Sequence, residues 1–172
     1  IVDGERGRAA SDIGSAWGVK AHRTLNTLLL DGGMQRALDT AVWLYECGAD
    51  ALIVQDMGLI ALLRKQLPDM ALHGSTQRSI VNEDGVLALE KLGFERAVLG
   101  RECSLEDIER IKAKSGLDLE VFVHGAMCVS VSGQCLHSSM LGGRSGNRGG
   151  CAQPCRMEHS CGGKSGYLLS MQ

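Results

Sequence analysis

Short apolar segments alternate with amphipathic helical segments along the first 124 residues, and this alternation constrains the fold more than any other feature. The predicted strands begin at residues 19, 51, 71, 96 and 119, so a strand–helix unit recurs every 20 to 32 residues. Helical spacing of apolar residues predicts helices over 34–47, 59–67, 82–92 and 104–115. Repeated units of this kind imply a parallel sheet joined by right-handed crossovers. The sequence therefore predicts an α/β protein.

Two arrangements of such units compete: a doubly wound sheet and a (β/α)8 barrel. No glycine-rich phosphate-binding motif follows any predicted strand, which disfavours a dinucleotide-binding sheet. A complete barrel needs about 250 residues, and this chain has 172. We therefore predict parallel βα repeats that form part of a TIM-type barrel over residues 1–127. Residues 128–172 are predicted to be a cysteine- and glycine-rich metal-binding segment of the same domain.

Polar residues follow every predicted strand. Parallel strands place their carboxyl ends on one face, which carries the active site in barrel enzymes. A polar loop that only caps the next helix would explain one such residue, but five polar strand ends in succession favour a shared pocket. The candidate catalytic residues are Arg101, Glu102 and His124, and the candidate substrate-binding residues are Asn26, Gln55, Gln77, Arg144 and Arg148. Arg101 is suited to an anionic substrate group, which a guanidinium can bind through two hydrogen bonds.

Four of the seven cysteines fall within 28 residues. They are Cys128, Cys135, Cys151 and Cys155, in the pattern C-x6-C, fifteen residues, C-x3-C. The residues between them are mostly glycine, serine, asparagine and arginine, which offer little apolar surface to order a loop. Thiolate ligands around a metal ion or an iron–sulfur cluster would supply that order. Cys47 and Cys103 lie at helix ends and are predicted to be ordinary small residues.

Composition indicates the cellular compartment of the protein and the charge of its partner. Secreted disulfide scaffolds are usually shorter and spread their cysteines, whereas five of these seven lie in the last 45 residues. No apolar run could span a membrane and no signal peptide is recognisable, so we expect a cytoplasmic protein. The chain begins at Ile1, so we expect a fragment or a processed piece. From residue 121 onward the chain contains four basic residues and one acidic residue. This excess of positive charge favours an anionic partner such as RNA.

The segment from His124 to Cys135, His-Gly-Ala-Met-Cys-Val-Ser-Val-Ser-Gly-Gln-Cys, closely resembles a family signature. So does the segment from Gly143 to Arg156, Gly-Arg-Ser-Gly-Asn-Arg-Gly-Gly-Cys-Ala-Gln-Pro-Cys-Arg. Both are similar to the collagenase-like peptidase family, number thirty-two of the unassigned (U) peptidases. Residues 52–56, 73–77 and 99–102 are also similar to strand ends of that family. The resemblance extends from about residue 18 to residue 167.

This resemblance implies a TIM-barrel-like domain. Some members are catalogued as peptidases, and others hydroxylate RNA or ubiquinone precursors without oxygen, using a 4Fe–4S cluster. The RNA hydroxylases of the family draw on prephenate. The four clustered cysteines match signature positions, and members differ over the fourth ligand. Cys161 is not a family position and is a substitute candidate for it.

Three functions of different classes therefore remain open. The first is an iron–sulfur enzyme that hydroxylates an RNA base or a quinone-like precursor without oxygen. The second is a peptidase of the collagenase type acting on peptides. The third is a non-catalytic module stapled by zinc. The sequence contains neither the serine-hydrolase motif G-x-S-x-G nor the zinc-protease motif H-E-x-x-H. A cysteine protease would need a histidine beside a thiolate, and His124 with Cys128 is the candidate pair.

Overall fold

Five parallel strands form one sheet in the order in which they follow along the chain. The computed structural model describes residues 4–125 and 128–167, with side chains described from residue 7 onward. The strands are β1 (His22–Leu25), β2 (Ala51–Val54), β3 (Leu72–Gly74), β4 (Arg96–Val98) and β5 (Asp118–Glu120). Every neighbouring pair is parallel, from His22 opposite Ala51 to Val98 opposite Glu120. The predicted α/β class and parallel βα repeats are confirmed.

Five longer helices accompany this sheet. They are α1 (Gly4–Ala16), α2 (Asp31–Glu46), α3 (Met57–Gln66), α4 (Glu83–Lys91) and α5 (Leu105–Lys114). The last four lie within three residues of the predicted boundaries. Helix α1 was not predicted, because its sequence lacks a clear apolar stripe. Contacts with distant residues hold it: the Arg23 guanidinium donates hydrogen bonds to the Gly7 carbonyl and the Ser11 hydroxyl.

Local capping signals set the helix ends. The Asn82 side chain accepts a hydrogen bond from the Gly85 N–H and starts α4, as predicted. Ser104 and Asp107 form a reciprocal capping box at the start of α5. Gly93 follows α4 with φ of +76°, a left-handed conformation that glycine adopts at low cost. These short-range interactions explain why the helix boundaries were readable from the sequence.

The hydrophobic core lies between one face of the sheet and the helices. From the sheet it includes Leu52, Val54, Leu72 and Ala97, all fully buried. Helices α2 to α5 contribute Ala41, Leu59, Leu63, Val86, Leu89 and Ile111. Helix α4 packs closely on β3, since a Cβ atom on Gly74 would lie 2.6 Å from a methyl group of Leu89. All four helices thus cover the same face of the sheet.

The second face of the sheet carries charged and polar side chains besides the apolar Ala51, Ile53 and Val98. It carries His22 and His73, whose ring centroids lie 4.7 Å apart. It also carries Arg96, which forms ion pairs with Asp118 at 3.4 Å and Glu120 at 3.3 Å. A doubly wound sheet buries both faces under helices, whereas a sequential order of parallel strands keeps its helices on one side. This face therefore argues against the doubly wound arrangement, and closure into a barrel stays a prediction.

The cysteine-rich segment has more regular structure than the sequence indicated. It contains the short helix α6 (His137–Gly142) and an antiparallel hairpin of β6 (Glu158–Cys161) and β7 (Lys164–Tyr167). Gly162 and Gly163 join the two strands with φ of +58° and +76°, the positive values that a two-residue type I′ turn requires. Strand β5 ends at Glu120 instead of continuing to Val123, which is 93% exposed. Among the described residues, no helix has the length and apolarity needed to cross a membrane.

Candidate functional site

The cysteine-rich segment docks on the carboxyl ends of three strands. After β1, the Leu28 N–H donates a hydrogen bond of 3.0 Å to the Asn147 carbonyl. After β3, the Ser79 hydroxyl donates to the Ser132 carbonyl at 2.6 Å. After β4, the Arg101 N–H donates to the Ser132 hydroxyl at 3.3 Å. The segment thus lies at the carboxyl-terminal end of the strands, where parallel βα proteins carry their active sites.

Ser132 is the centre of this docking. It is 6% exposed, and its N–H donates to a Glu102 carboxylate oxygen at 2.9 Å. Its hydroxyl donates to the same oxygen at 3.3 Å while accepting from the Arg101 N–H. A buried serine with donor and acceptor both used is a rigid anchor, because each lost hydrogen bond would leave a buried polar group unpaired.

The Arg101 guanidinium points into the cysteine-bearing loop. It donates to the carbonyls of Cys128 at 3.2 Å and Ser130 at 2.9 Å. One of its nitrogens lies 3.8 Å from the Glu102 carboxylate. Two of its donors are therefore committed to the backbone of the loop. Binding of a substrate anion by Arg101, the predicted role, would use its remaining donors and stays a prediction.

The charge of Glu102 suits its position. Partial burial acts to raise the pKa of Glu102, but the hydrogen bonds from the Ser132 N–H and hydroxyl outweigh it, with a contribution from the charge of Arg101. The pKa of Glu102 therefore lies below its ordinary value. The carboxylate is ionised at neutral pH and serves as a hydrogen-bond acceptor there rather than as a proton donor.

Two of the three predicted substrate-binding amides, and the backbone of the third residue, form a second group around Ser75, which is 1% exposed. The Asn26 amide donates to the Ser75 hydroxyl at 3.3 Å, and the Gln77 N–H donates to the same oxygen at 3.2 Å. The Gln55 amide donates to the Gln77 carbonyl at 3.2 Å. Within the described part of the chain the buried Gln55 amide oxygen accepts no hydrogen bond. The ends of β1, β2 and β3 are thus linked through polar side chains.

The other predicted residues lie at the edge of this arrangement. His124 is exposed after β5, and no contact among the described residues joins it to Arg101 or Glu102. Arg144 is exposed and donates to the Gly150 carbonyl at 2.9 Å. Arg148 is exposed next to Asn147, whose carbonyl reaches the end of β1. Their predicted roles stay predictions.

All seven cysteines are free thiols. Cys47 is buried and Cys103 packs against the core, which fits their interpretation as ordinary residues. Burial, with the nearby Asp107 and Glu102 carboxylates, raises the pKa of Cys103 and keeps its thiol protonated.

The clustered cysteines are partly accessible. Cys128, Cys151 and Cys161 are exposed, and Cys135 and Cys155 are half-buried. Gly146 brings two of them to one turn: a Cβ atom placed on it would lie 3.7 Å from the Cys151 Cβ and 4.0 Å from the Cys135 carbonyl oxygen. The Gln153 N–H donates to the Cys151 sulfur at 3.3 Å.

Thiol donors of this kind suit a soft metal ion or an iron–sulfur cluster. In the part of the chain that the structure describes, no three side chains of His, Cys, Asp or Glu are grouped closely enough to hold a metal ion. The predicted ligand set of Cys128, Cys135, Cys151 and Cys155 therefore stays a prediction.

Sequence reasoning missed four residues that hold the site together. They are Ser75, Ser79, Ser132 and Asn147. One signal for Ser132 was present, because Gly133 interrupts an apolar–polar pattern just before Cys135. Gly133 has φ of +75°, and a Cβ atom on it would lie only 2.2 Å from the Gln77 carbonyl oxygen. Close backbone approach of this kind requires glycine.

Comparison with known proteins shows that the chain is similar to RNA hydroxylation proteins. It is 40% identical over 156 residues to a 23S rRNA 5-hydroxycytidine synthase of Escherichia coli, covering 91% of this chain and 23% of that protein. It is 43% identical over 116 residues to the tRNA hydroxylation protein P of Escherichia coli, covering 67% of this chain and 26% of that protein. It thus spans about a quarter of the length of these two relatives.

Two further matches carry peptidase names. A collagenase of Porphyromonas gingivalis is 29% identical over 170 residues, covering 90% of this chain and 40% of that protein. A solved structure described as a U32 peptidase superposes with a TM-score of 0.55 at 14% identity, covering 67% of this chain and 50% of that one. That likeness shows a shared fold. The model of peptidase family U32 matches residues 5–172, and the chain therefore belongs to peptidase family U32.

Proposed function

We propose that this chain carries the cysteine-bearing part of the active site of an RNA hydroxylase that works with a 4Fe–4S cluster and without oxygen. Relatives at 40% and 43% identity are named for hydroxylation of 23S rRNA and of tRNA, which favours RNA over a quinone-like precursor. The observation that carries the proposal is the docking of the cysteine loop on the strand ends. Hydrogen bonds at Ser132 and Asn147 bring the loop to the same face as the predicted substrate groups.

The residues divide into three roles under this proposal. Cys128, Cys135, Cys151 and Cys155 would hold the cluster, with Cys161 as the substitute for the fourth position. A cluster of this type supplies single-electron chemistry. The amides of Asn26, Gln55 and Gln77 would orient a base at the ends of β1 to β3, where the Asn26 and Gln55 side chains already bond to the loop after β3. Prephenate is the proposed co-substrate, as the family resemblance implies.

Charge supports an RNA substrate. The segment from residue 121 onward carries a net charge of +3, and the first 120 residues carry −5. Arg144 and Arg148 are exposed on the docked segment, where they can contact phosphates without reading sequence. We propose that Arg101, Glu102 and His124 line the reaction site from the ends of β4 and β5. Under this proposal the protein acts in the cytoplasm, as expected from the sequence.

The test is anaerobic reconstitution of the full chain with iron and sulfide. We expect about four irons per chain and absorption near 400 nm for a cubane cluster. Cys128→Ser and Cys151→Ser should each lower the bound iron sharply. Cys103→Ser is the matched control and should bind as much iron as the parent, because Cys103 packs against the core. Equal iron in the parent and in the Cys128 and Cys151 variants would refute the cluster.

The outcomes also separate the other two functions. A colourless protein that binds about one zinc ion would support the stapled module. A hydrolase is favoured by the collagenase among the relatives. In that case a thiol-blocking reagent at Cys128 should abolish peptide cleavage by the metal-free chain.

A further inference from the structure

We propose that Ser132 and Glu102 form a latch that holds the loop 128–135 on the strand ends independently of any metal. Ser132 is then a positioning residue for the two cysteines that bound this loop. The inference deepens the proposed function and rests on it, because the loop matters to chemistry only if Cys128 and Cys135 serve the cluster.

The contacts of the latch converge on one buried residue. Ser132 uses its N–H and its hydroxyl on one carboxylate oxygen of Glu102, at 2.9 Å and 3.3 Å. Its carbonyl accepts from the Ser79 hydroxyl at 2.6 Å. Every polar atom of Ser132 is therefore satisfied by a group on the strand-end loops after β3 and β4. Hydrogen bonds to an ionised acceptor are stronger than neutral ones, and the lowered pKa of Glu102 keeps that acceptor charged.

Neighbouring contacts fix the loop on both sides of Ser132. Towards Cys128, the Arg101 guanidinium donates to the carbonyls of Cys128 and Ser130. Towards Cys135, the Gln134 amide donates to the Ser79 hydroxyl at 2.8 Å. The loop is thus held by other protein groups at residues 128, 130, 132 and 134. A metal ion is not needed to explain why the loop lies where it does.

The latch orders the loop through hydrogen bonds, whereas the composition suggested that a metal would order it. A loop of glycine and serine buries too little apolar area to order itself, and thiolate ligands around a metal were expected to supply that order. Ser132 is nevertheless only 6% exposed, because the strand-end loops supply both its hydrogen bonds and its cover. Prior placement of the loop would reduce the ordering entropy that cluster assembly has to overcome.

The test is amide hydrogen exchange of residues 129–134 in the metal-free full chain. Glu102→Ala removes the acceptor of Ser132, and exchange there should accelerate about tenfold or more. Glu102→Gln is the matched control, because its amide oxygen can still accept the Ser132 N–H but carries no charge, and its exchange should lie between that of the parent and that of Glu102→Ala. Ser132→Ala, which removes the hydroxyl contacts, is a second variant in case Glu102→Ala does not fold.

A second measurement links the latch to the thiols. In reconstituted protein, iron loss to a chelator should be faster in Glu102→Ala than in Glu102→Gln. Unchanged exchange in both Glu102→Ala and Ser132→Ala would overturn the latch, and so would equal iron loss from the two Glu102 variants. If the parent takes up no iron, the proposed function fails, and the exchange experiment alone decides the latch.

Discussion

Gly133→Ala is the sharpest perturbation of the docked cysteine loop. Gly133 has φ of +75°, where an alanine costs about 1–2 kcal/mol. Its added Cβ atom would lie 2.2 Å from the Gln77 carbonyl oxygen and 2.8 Å from the Gln77 carbonyl carbon. These are backbone atoms of the loop after β3, so no side-chain rotation can relieve the contact.

The magnitude follows from what has to move. If the loop shifts to relieve the contact, Ser132 loses its hydrogen bonds to Glu102 and Ser79. Each such bond contributes about 1 kcal/mol, and somewhat more where the acceptor is charged. With the conformational cost added, we expect docking of the loop to weaken by about 4–5 kcal/mol. That corresponds to opening about a thousandfold more often, since about 1.4 kcal/mol is a factor of ten.

Gly143→Ala is the control, because it isolates the conformational cost. Gly143 has φ of +66°, and a Cβ atom there would meet nothing within 4 Å. Its cost should stay near 1–2 kcal/mol. Hydrogen exchange of residues 129–134, together with urea denaturation, measures both variants. If the two substitutions perturb the loop equally, the close approach of Gly133 to Gln77 does not hold the loop, and the reasoning fails.

Two further predictions concern charge. Burial lowers the pKa of His73 to about 4, and the nearby His22 and Arg96 act in the same direction. As the pH falls, the unfolded chain therefore binds a proton at this histidine near pH 6.5, whereas the folded chain binds it only near pH 4. The free energy of unfolding should fall by up to about 3 kcal/mol between pH 6.5 and pH 4. In urea denaturation at different pH values, the stability of His73→Asn should depend less on pH than that of the parent. An unchanged pH dependence would contradict this assignment. Arg148→Ala should weaken RNA binding and reduce the number of counterions released on binding by about one. Lys91→Ala, at the opposite end of a βα unit, should change neither quantity. Equal effects of the two substitutions in a filter-binding assay would exclude a specific contact of Arg148.

The parts of the fold that could be predicted are those fixed by neighbours in the sequence. Helix α4 begins where Asn82 caps it, and helix α5 begins at the capping box of Ser104 and Asp107. The buried strand β2 is a run of apolar residues, and it begins at the predicted residue 51. Such features depend on interactions over three or four residues, which a sequence displays directly.

The parts that could not be predicted depend on partners far away along the chain. Helix α1 is tied to β1 by Arg23, and no local pattern reveals that contact. Val121 to Val123 have the composition of a strand, but in the described residues β5 is the last strand of its sheet, and no partner strand extends beside them. Ser132 showed no chemical motif, because its role arises only when Glu102, thirty residues away, reaches it.

The glycines of the cysteine segment have a different physical reason from the one that composition suggested. Their abundance was interpreted as a deficit of packing that a metal would have to compensate. In the structure, a Cβ atom on Gly133 would collide with the Gln77 carbonyl, whereas one on Gly149 would make an ordinary contact of 3.4 Å with the Thr27 methyl group, and there the φ of +73° favours glycine. The close approach of the segment to the loop after β3 therefore requires glycine at position 133. A segment that meets its support through backbone atoms needs small residues for close approach, and its order then depends on hydrogen bonds rather than on apolar burial.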